Sequence, residues 1–185
     1  MQPGVGLLSG RRKEPTVTDV NQIADTLQSG PAVLRALLEP FDHDTLALRP
    51  APGEWCPLEV IGHLIACDSD AFRNRIEAIV AGEPEIASFD AWKAINARDF
   101  AAEPFDMLLD ELAAERATSA EFLRSLTPSD LAKSASYHEG RIFEANDFVH
   151  EWPFHDQDHL QQILAALKLT YLPHMTSTMR DALAG

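Results

Sequence analysis

Four long segments of the chain carry apolar side chains at helical spacing, and they limit the possible folds more than any other feature. They cover residues 18–38, 57–80, 103–126 and 143–169. None of them shows the period-two alternation of a half-buried strand. We therefore predict an all-α fold, a four-helix bundle, in which Met107, Leu108 and Leu112 of the third helix point inward.

The connection between the second and third helices, residues 81–102, is long for a helical bundle. A segment of this length can recross the bundle lengthwise, so this crossover allows the second and third helices to run parallel instead of antiparallel. Gly82 and Pro84 are expected to end the second helix where the crossover begins.

Two prolines lie inside helical segments, where the missing N–H and the ring disturb the helix. Pro31, which follows Gly30, is expected to break the first helix and to start a second helical piece. Pro153 either kinks the fourth helix or begins it. We favour a kink, because Phe148 and Trp152 keep the helical phase before it.

The fourth segment contains two histidines four residues apart, His155 and His159. Residues at this spacing lie one above the other on a helix, with Cβ atoms roughly 5–6 Å apart, so both imidazoles can bind one metal ion. Zinc and similar ions need about three or four ligands, so another helix has to supply a third. His63 in the second segment is the candidate. The same residues also fit a protein without a metal. In that case His155 and His159 are an exposed or hydrogen-bonded pair, and His63 is a core histidine.

Two stretches of sequence carry a resemblance to a known family. The run WCPLEVIGHL at residues 55–64 places a tryptophan before a helical histidine, and the run HDQDHLQQI at residues 155–163 contains the later histidine pair. With these motifs the chain resembles the DinB-like (YfiT-like) superfamily of four-helix proteins over roughly residues 20–170. A departure is Cys56, where many members of that superfamily have a serine or threonine.

The resemblance implies a metal site made of His63, His155 and His159, with zinc or nickel as the expected divalent ion. Three imidazoles without a fourth protein ligand leave coordination positions for water or substrate, as in catalytic zinc sites. We expect this open site at one end of the bundle.

The resemblance also implies a class of function, since members are similar either to hydrolases or to transferases that use low-molecular-weight thiols. We therefore expect a metal-dependent enzyme with a small-molecule substrate. Such a thiol is one of the substrates that this class allows. Thiol transfer is slightly favoured, because the sequence has no carboxylate base placed as in His-Glu-x-x-His proteases. The alternative is a non-catalytic protein that keeps the metal for ligand binding or stability.

Two further residues have roles that the sequence leaves open. Cys67, one helical turn after His63, fits a fourth ligand, a nucleophile or a small buried residue. His138 lies in the loop before the fourth helix, where it can reach the metal or remain apart from it.

Charge and composition restrict the partners and the compartment. The chain has 15 Lys and Arg against 29 Asp and Glu, a net charge of −14, which opposes nucleic-acid binding. No apolar run is long enough to span a bilayer, and the first residues lack the apolar core of a signal peptide, so we expect no membrane partner and a cytoplasmic location. The two cysteines, Cys56 and Cys67, form no disulfide framework, in agreement with a reducing compartment.

The domain organisation and the assembly are also expectations from the pattern. Residues 1–16 read as a disordered N-terminal arm, and residues 17–185 as a single DinB-like helical-bundle domain. The apolar stripe that includes Val60, Ile61 and Leu64 is broad enough to leave apolar surface uncovered in a monomer. We therefore predict a homodimer, the commonest closed assembly.

Overall fold

Four long helices form a bundle in the computed structural model, which describes residues 19–184. The predicted N-terminal arm, residues 1–16, lies outside the described residues. The first bundle helix is Val20–Leu38, the third is Phe105–Ser125 and the fourth is Ala145–Thr170. The second bundle helix consists of the α-helix Pro57–Ala66, the π-helical segment Cys67–Arg73 and the α-helix Asn74–Ala81. The predicted all-α bundle is confirmed.

Shorter elements connect and extend these helices. The short α-helices are His43–Leu46, Ala91–Asn96, Pro128–Leu131 and Ser177–Ala184, and 3-10 turns occur at Phe100–Ala102 and Leu172–His174. Gly82 ends the second bundle helix in the left-handed conformation, with φ of 88°, as the sequence indicated. Among the described helices, none is both long enough and apolar enough to cross a membrane.

The directions of the helices follow from their cross-contacts. Asp68 of the second bundle helix pairs with Arg116 of the third, and Arg73 bonds to Ser119, so these two helices run parallel. The long crossover therefore recrosses the bundle lengthwise, as predicted, and makes these two helices parallel. The first and third bundle helices run antiparallel. Arg35, late in the first helix, pairs with Asp110 early in the third, whereas Asp25 pairs with Arg124.

The first bundle helix is continuous through Pro31, so the predicted break is wrong. Proline usually forces its predecessor out of the helical conformation because the ring meets the Cβ of that residue. Here the predecessor is Gly30, which has no Cβ. Buried Leu27 and Leu34 on either side also hold the helix in place. The fourth bundle helix is likewise continuous through Pro153, so it does not begin there.

A two-stranded antiparallel hairpin, missing from the prediction, precedes the fourth bundle helix. Its strands are Ser134–Tyr137 and Arg141–Glu144, and the turn residues 138–140 all have positive φ. The crossover adds to the hairpin edge, because Ile86 N–H donates to Ser136 O and Ser136 N–H donates to Pro84 O, both at 2.9 Å. The hairpin therefore anchors the beginning of the crossover.

The core consists of two apolar clusters stacked along the bundle. One cluster surrounds Ile76, Phe148 and Trp152, and the other surrounds Ile61 and Leu112. Polar groups of His63, Asp68 and Arg116 are buried between the two halves of the bundle. The core is therefore interrupted by polar side chains in its middle.

Two expectations about apolar faces are wrong. Met107 is exposed, because its neighbours Leu108 and Leu109 occupy the inward face of the third bundle helix. Val60, Ile61 and Leu64 are buried within the single chain, where the crossover and the third bundle helix cover them. This stripe therefore offers no surface for a homodimer, and the prediction of a homodimer then rests on the frequency of two-fold assemblies.

Candidate metal centre

An ion pair between exposed Arg49 and buried Glu59 fixes the start of the helix that carries His63. Pro57 occupies the first helical position, where its missing N–H costs nothing. The buried Glu59 carboxylate accepts a hydrogen bond from the Cys56 N–H at 2.9 Å and another from Arg49 Nε at 2.9 Å. Arg49 thus holds the first turn, and His63 lies one turn further on.

Three imidazoles meet between the second and fourth bundle helices. The Nε2 atom of His155 lies 3.1 Å from Nε2 of His63 and 3.1 Å from Nε2 of His159. His63 is buried, whereas His155 and His159 are partly exposed. The structure therefore brings together all three histidines that the sequence singled out, about halfway along the fourth bundle helix and not at the end of the bundle.

The proton positions in this cluster leave one contact unsatisfied. Nδ1 of His159 lies 2.8 Å from the Gln162 side-chain oxygen, which can only accept, so His159 carries its proton on Nδ1 and a lone pair on Nε2. His155 Nε2 has one in-plane position, so it can pair with only one of its two imidazole neighbours. In the neutral cluster at least one of the two close N···N contacts therefore lacks a hydrogen bond, and a shared cation would remove this unfavourable contact.

Burial favours the neutral form of two of these imidazoles, His63 and His159. The pKa of His63 is lowered to about 3, chiefly by burial and then by repulsion from His159 and His155. Burial also lowers the pKa of His159, and His155 lowers it further. A neutral imidazole is the form that binds a metal, so His63 and His159 are in the form that can take up a cation at physiological pH.

Cys67 lies against the imidazole cluster. Its Sγ is 3.4 Å from Nε2 of His63, and donor atoms of His63, Cys67 and His155 all lie within 4.8 Å of one another. His159 joins this group through its contact with His155. Burial, followed by the neighbouring Asp68 carboxylate, raises the pKa of Cys67 to about 12, so its side chain is a neutral thiol in the metal-free protein.

A network of charged residues lies behind the imidazoles. The buried Arg116 guanidinium donates from Nη2 to Asp156 Oδ1 at 2.9 Å and pairs through Nη1 with the other oxygen of that carboxylate. Its Nε lies 2.9 Å from Asp68 Oδ2, and the Trp152 indole N–H donates to Asp68 Oδ1 at 3.2 Å. The third bundle helix thereby contacts the chain next to Cys67 and next to His155.

Aromatic rings form the walls of the centre. Trp55 lies 4.7 Å from the His63 ring and 6.2 Å from the His159 ring, measured between centroids. Phe72 contacts the His155 ring at 5.1 Å from the opposite side. Trp92 of the crossover packs on Trp55 and is more than half exposed, so the crossover borders the site.

His138 takes no part in the imidazole cluster. It is exposed in the hairpin turn, where its ring packs on Tyr137 at 3.9 Å between centroids. Sequence reasoning missed Arg116 and Asp68, which are polar residues inside otherwise amphipathic helices. Helical phase was the available signal for both: Arg116 lies four residues after buried Leu112, and Asp68 lies four residues after buried Leu64.

Comparisons with known proteins agree with this architecture. A family model described as the DinB superfamily matches residues 26–163. The chain belongs to the DinB superfamily. Its fold is similar to that of YfiT from Bacillus subtilis, described as a probable metal-dependent hydrolase with an unusual four-helix bundle topology. The TM-score is 0.73 at 16% identity, covering 87% of this chain and 93% of YfiT, a likeness that shows the shared fold. No curated protein sequence matches the chain.

Proposed function

We propose that this protein is a metal-dependent enzyme that acts on a small molecule, with His63, His155 and His159 as ligands of one divalent ion, zinc or nickel. The observation that carries the proposal is the convergence of three Nε2 atoms, those of His63 and His159 on that of His155, in which one contact lacks a hydrogen bond. A cation at the centre would replace this unfavourable contact with three favourable bonds.

The side chains around the cluster fit an open site. Three imidazoles leave coordination positions for a reactant, and His155 and His159 keep part of their surface exposed. When bound, the ion supplies Lewis acidity to a coordinated water or thiol. Trp55 and Phe72 hold the imidazole rings from two sides and exclude water from their faces.

Hydrolysis is the first reaction class that we propose. It is supported by the likeness to YfiT, described as a probable metal-dependent hydrolase, together with membership of the DinB superfamily. In this chain the carboxylate beside His155, Asp156, is not free to act as a base, because Arg116 holds both of its oxygens. Deprotonation would therefore depend on the Lewis acidity of the bound ion.

That same feature favours a second candidate, transfer of a low-molecular-weight thiol to an electrophile. A thiol is more acidic than water, so it needs no carboxylate base to lose its proton at a divalent ion. Both reactions require the open site, and they differ only in the nucleophile.

A non-catalytic role is the alternative that Cys67 raises. Its Sγ is close enough to His63 to become a fourth ligand if the ion displaces its proton. A site closed in this way would hold a metal for stability or for binding a partner molecule. Cys67→Ser separates the two cases, because an open site keeps its metal affinity whereas a closed one loses it.

Metal analysis tests the ligand set. The metal-stripped protein is loaded with zinc or nickel, and the bound metal is measured by elemental analysis for His63→Ala, His155→Ala and His159→Ala. His150→Ala is the matched control, since His150 is on the same helix but bonds to the Asn146 carbonyl. We expect one ion per chain in wild type and control, and loss in the three variants. Stoichiometric metal in all three would overturn the site.

An activity screen tests the reaction class. The loaded protein is offered ester and amide substrates in one panel, and thiols with electrophiles in another. Turnover that requires metal and disappears in His155→Ala supports the enzyme proposal, and the active panel identifies the nucleophile. Absence of turnover in both panels together with metal loss in Cys67→Ser would favour the non-catalytic alternative.

A further inference from the structure

The third bundle helix supplies none of the three proposed metal ligands, yet it contributes the most deeply buried cation near them. Arg116 is 2% exposed and pairs with two carboxylates on two different helices. Asp68 belongs to the second bundle helix, next to Cys67, and Asp156 belongs to the fourth, next to His155. One guanidinium therefore connects both helices that carry the imidazoles.

Among the described residues, the imidazole of His155 lacks a hydrogen-bond partner on Nδ1, the ring nitrogen that faces away from the cluster, and this atom is buried. If Nε2 binds a metal, Nδ1 must carry the proton, and a buried N–H needs an acceptor. The nearest charged group is Asp156, whose Oδ1 lies 3.9 Å away. By contrast, Gln162 already occupies this position for His159.

The charge of the network also suits a cation. Arg116 and Asp156 balance each other, and Asp68 adds one negative charge behind the imidazoles when it is ionised. Without Arg116, two buried carboxylates would repel each other, and Asp156 would have no partner to fix its direction. The fork geometry of arginine holds both oxygens of Asp156, which a lysine cannot do.

We propose that Arg116 is a positioning residue for the metal centre: it holds Asp156 as the acceptor for the His155 Nδ1–H and so raises the affinity of the three imidazoles for a divalent ion. This inference rests on the proposed function. The bundle helix without a ligand would then control the affinity of the site through His155.

The test measures metal affinity by competition with a chromophoric chelator, using zinc as the probe. Asp156→Asn keeps the shape of the side chain and removes its charge. We expect it to weaken zinc binding by about 10–100-fold, the usual effect of an outer partner of a histidine ligand. Arg116→Lys should weaken binding in the same direction, and Arg116→Met more strongly.

Two control variants separate positioning from general effects. Asp158→Asn removes the same charge from an exposed position on the same helix, next to His159. Arg73→Met removes another ion pair between the second and third bundle helices, to Glu115 at 3.0 Å. Both should bind zinc within about threefold of wild type, since neither touches an imidazole.

Cobalt binding provides a spectroscopic signal that does not depend on the overall stability of the protein. The visible absorption of the cobalt-loaded protein reports the ligand geometry, and we expect it to change in Asp156→Asn but not in Asp158→Asn. Wild-type zinc affinity and cobalt spectrum in folded Asp156→Asn would overturn the inference while leaving the proposed function intact. Equal losses in Arg73→Met would overturn it too. Failure of wild type to bind zinc or cobalt would instead refute the site itself.

Discussion

Gly62 lies on the second bundle helix where the crossover packs most closely against it. A Cβ built at this position would be 2.3 Å from Cγ of Phe100 and 2.4 Å from Cδ1. Phe100 is buried, and its 3-10 turn fixes the end of the crossover on the helix. We predict that Gly62→Ala destabilises the protein, although alanine is the better helix former.

The magnitude follows from two opposing effects. Overpacking a core typically costs about 1–3 kcal/mol, and the upper half of that range applies because the ring must retreat by more than about 1 Å. Alanine in place of glycine in a helix interior returns about 1 kcal/mol. The net loss should be about 1–2 kcal/mol, or roughly 2–8 °C in Tm for a domain of this size.

A second background makes the prediction sharper. In Phe100→Ala the ring is gone, so Gly62→Ala should now stabilise the protein by about 1 kcal/mol through helix propensity alone. Both effects are measured by urea unfolding followed by circular dichroism, with the midpoint compared at constant slope. If Gly62→Ala lowers stability equally in both backgrounds, the close contact with Phe100 is not its cause. If it stabilises the wild type, the proposed packing is wrong.

Three further predictions concern charge, metal and assembly. Burial raises the pKa of Glu59, but hydrogen bonds from Arg49 and the Cys56 N–H outweigh it and hold the pKa below its usual value. Glu59 should therefore stabilise the protein above about pH 4.3 and lose this contribution as the pH falls through its lower folded value, so the Tm difference from Glu59→Gln should shrink there. A chelator should lower the Tm of the metal-loaded protein while helical circular dichroism at 25 °C stays intact, because the apolar core folds without the ion; loss of helicity would show a structural metal. We also predict a homodimer in analytical ultracentrifugation at about 0.15 M salt, and a single species of 20.4 kDa would contradict it.

Helical periodicity predicted the four bundle helices because their apolar faces repeat over many turns. Residue 38 as the end of the first helix and Gly82 as the stop of the second agree with the structure. The hairpin escaped prediction because strands of four residues are too short to establish a period. The break at Pro31 was predicted from proline alone, whereas the missing Cβ of Gly30 allows the helix to continue.

The proximity of the three histidines was predictable because two of them share a helix and the third lies on a resembling motif. The residues behind them were not. Asp68 lies in the π-helical segment, where the Asn74 N–H bonds to the Ser69 carbonyl and each added residue turns the following face by about 100°. A constant helical period still places Asp68 on the buried face, four residues after Leu64, but it does not show that this side chain meets Arg116 of another helix.

The π-helical segment and the charged network lie in the same layer of the bundle, beside the imidazoles. Within the π-helical segment, Phe72 stacks on Trp152 at 5.0 Å and contacts His155, and Asp68 faces Arg116. Apolar residues of similar volume in place of a buried ion pair are often neutral or stabilising. A core selected for stability alone would therefore not need charged side chains between its two apolar clusters. Departures from a regular helix and from an apolar core thus coincide beside the imidazoles, where functional sites commonly show such departures.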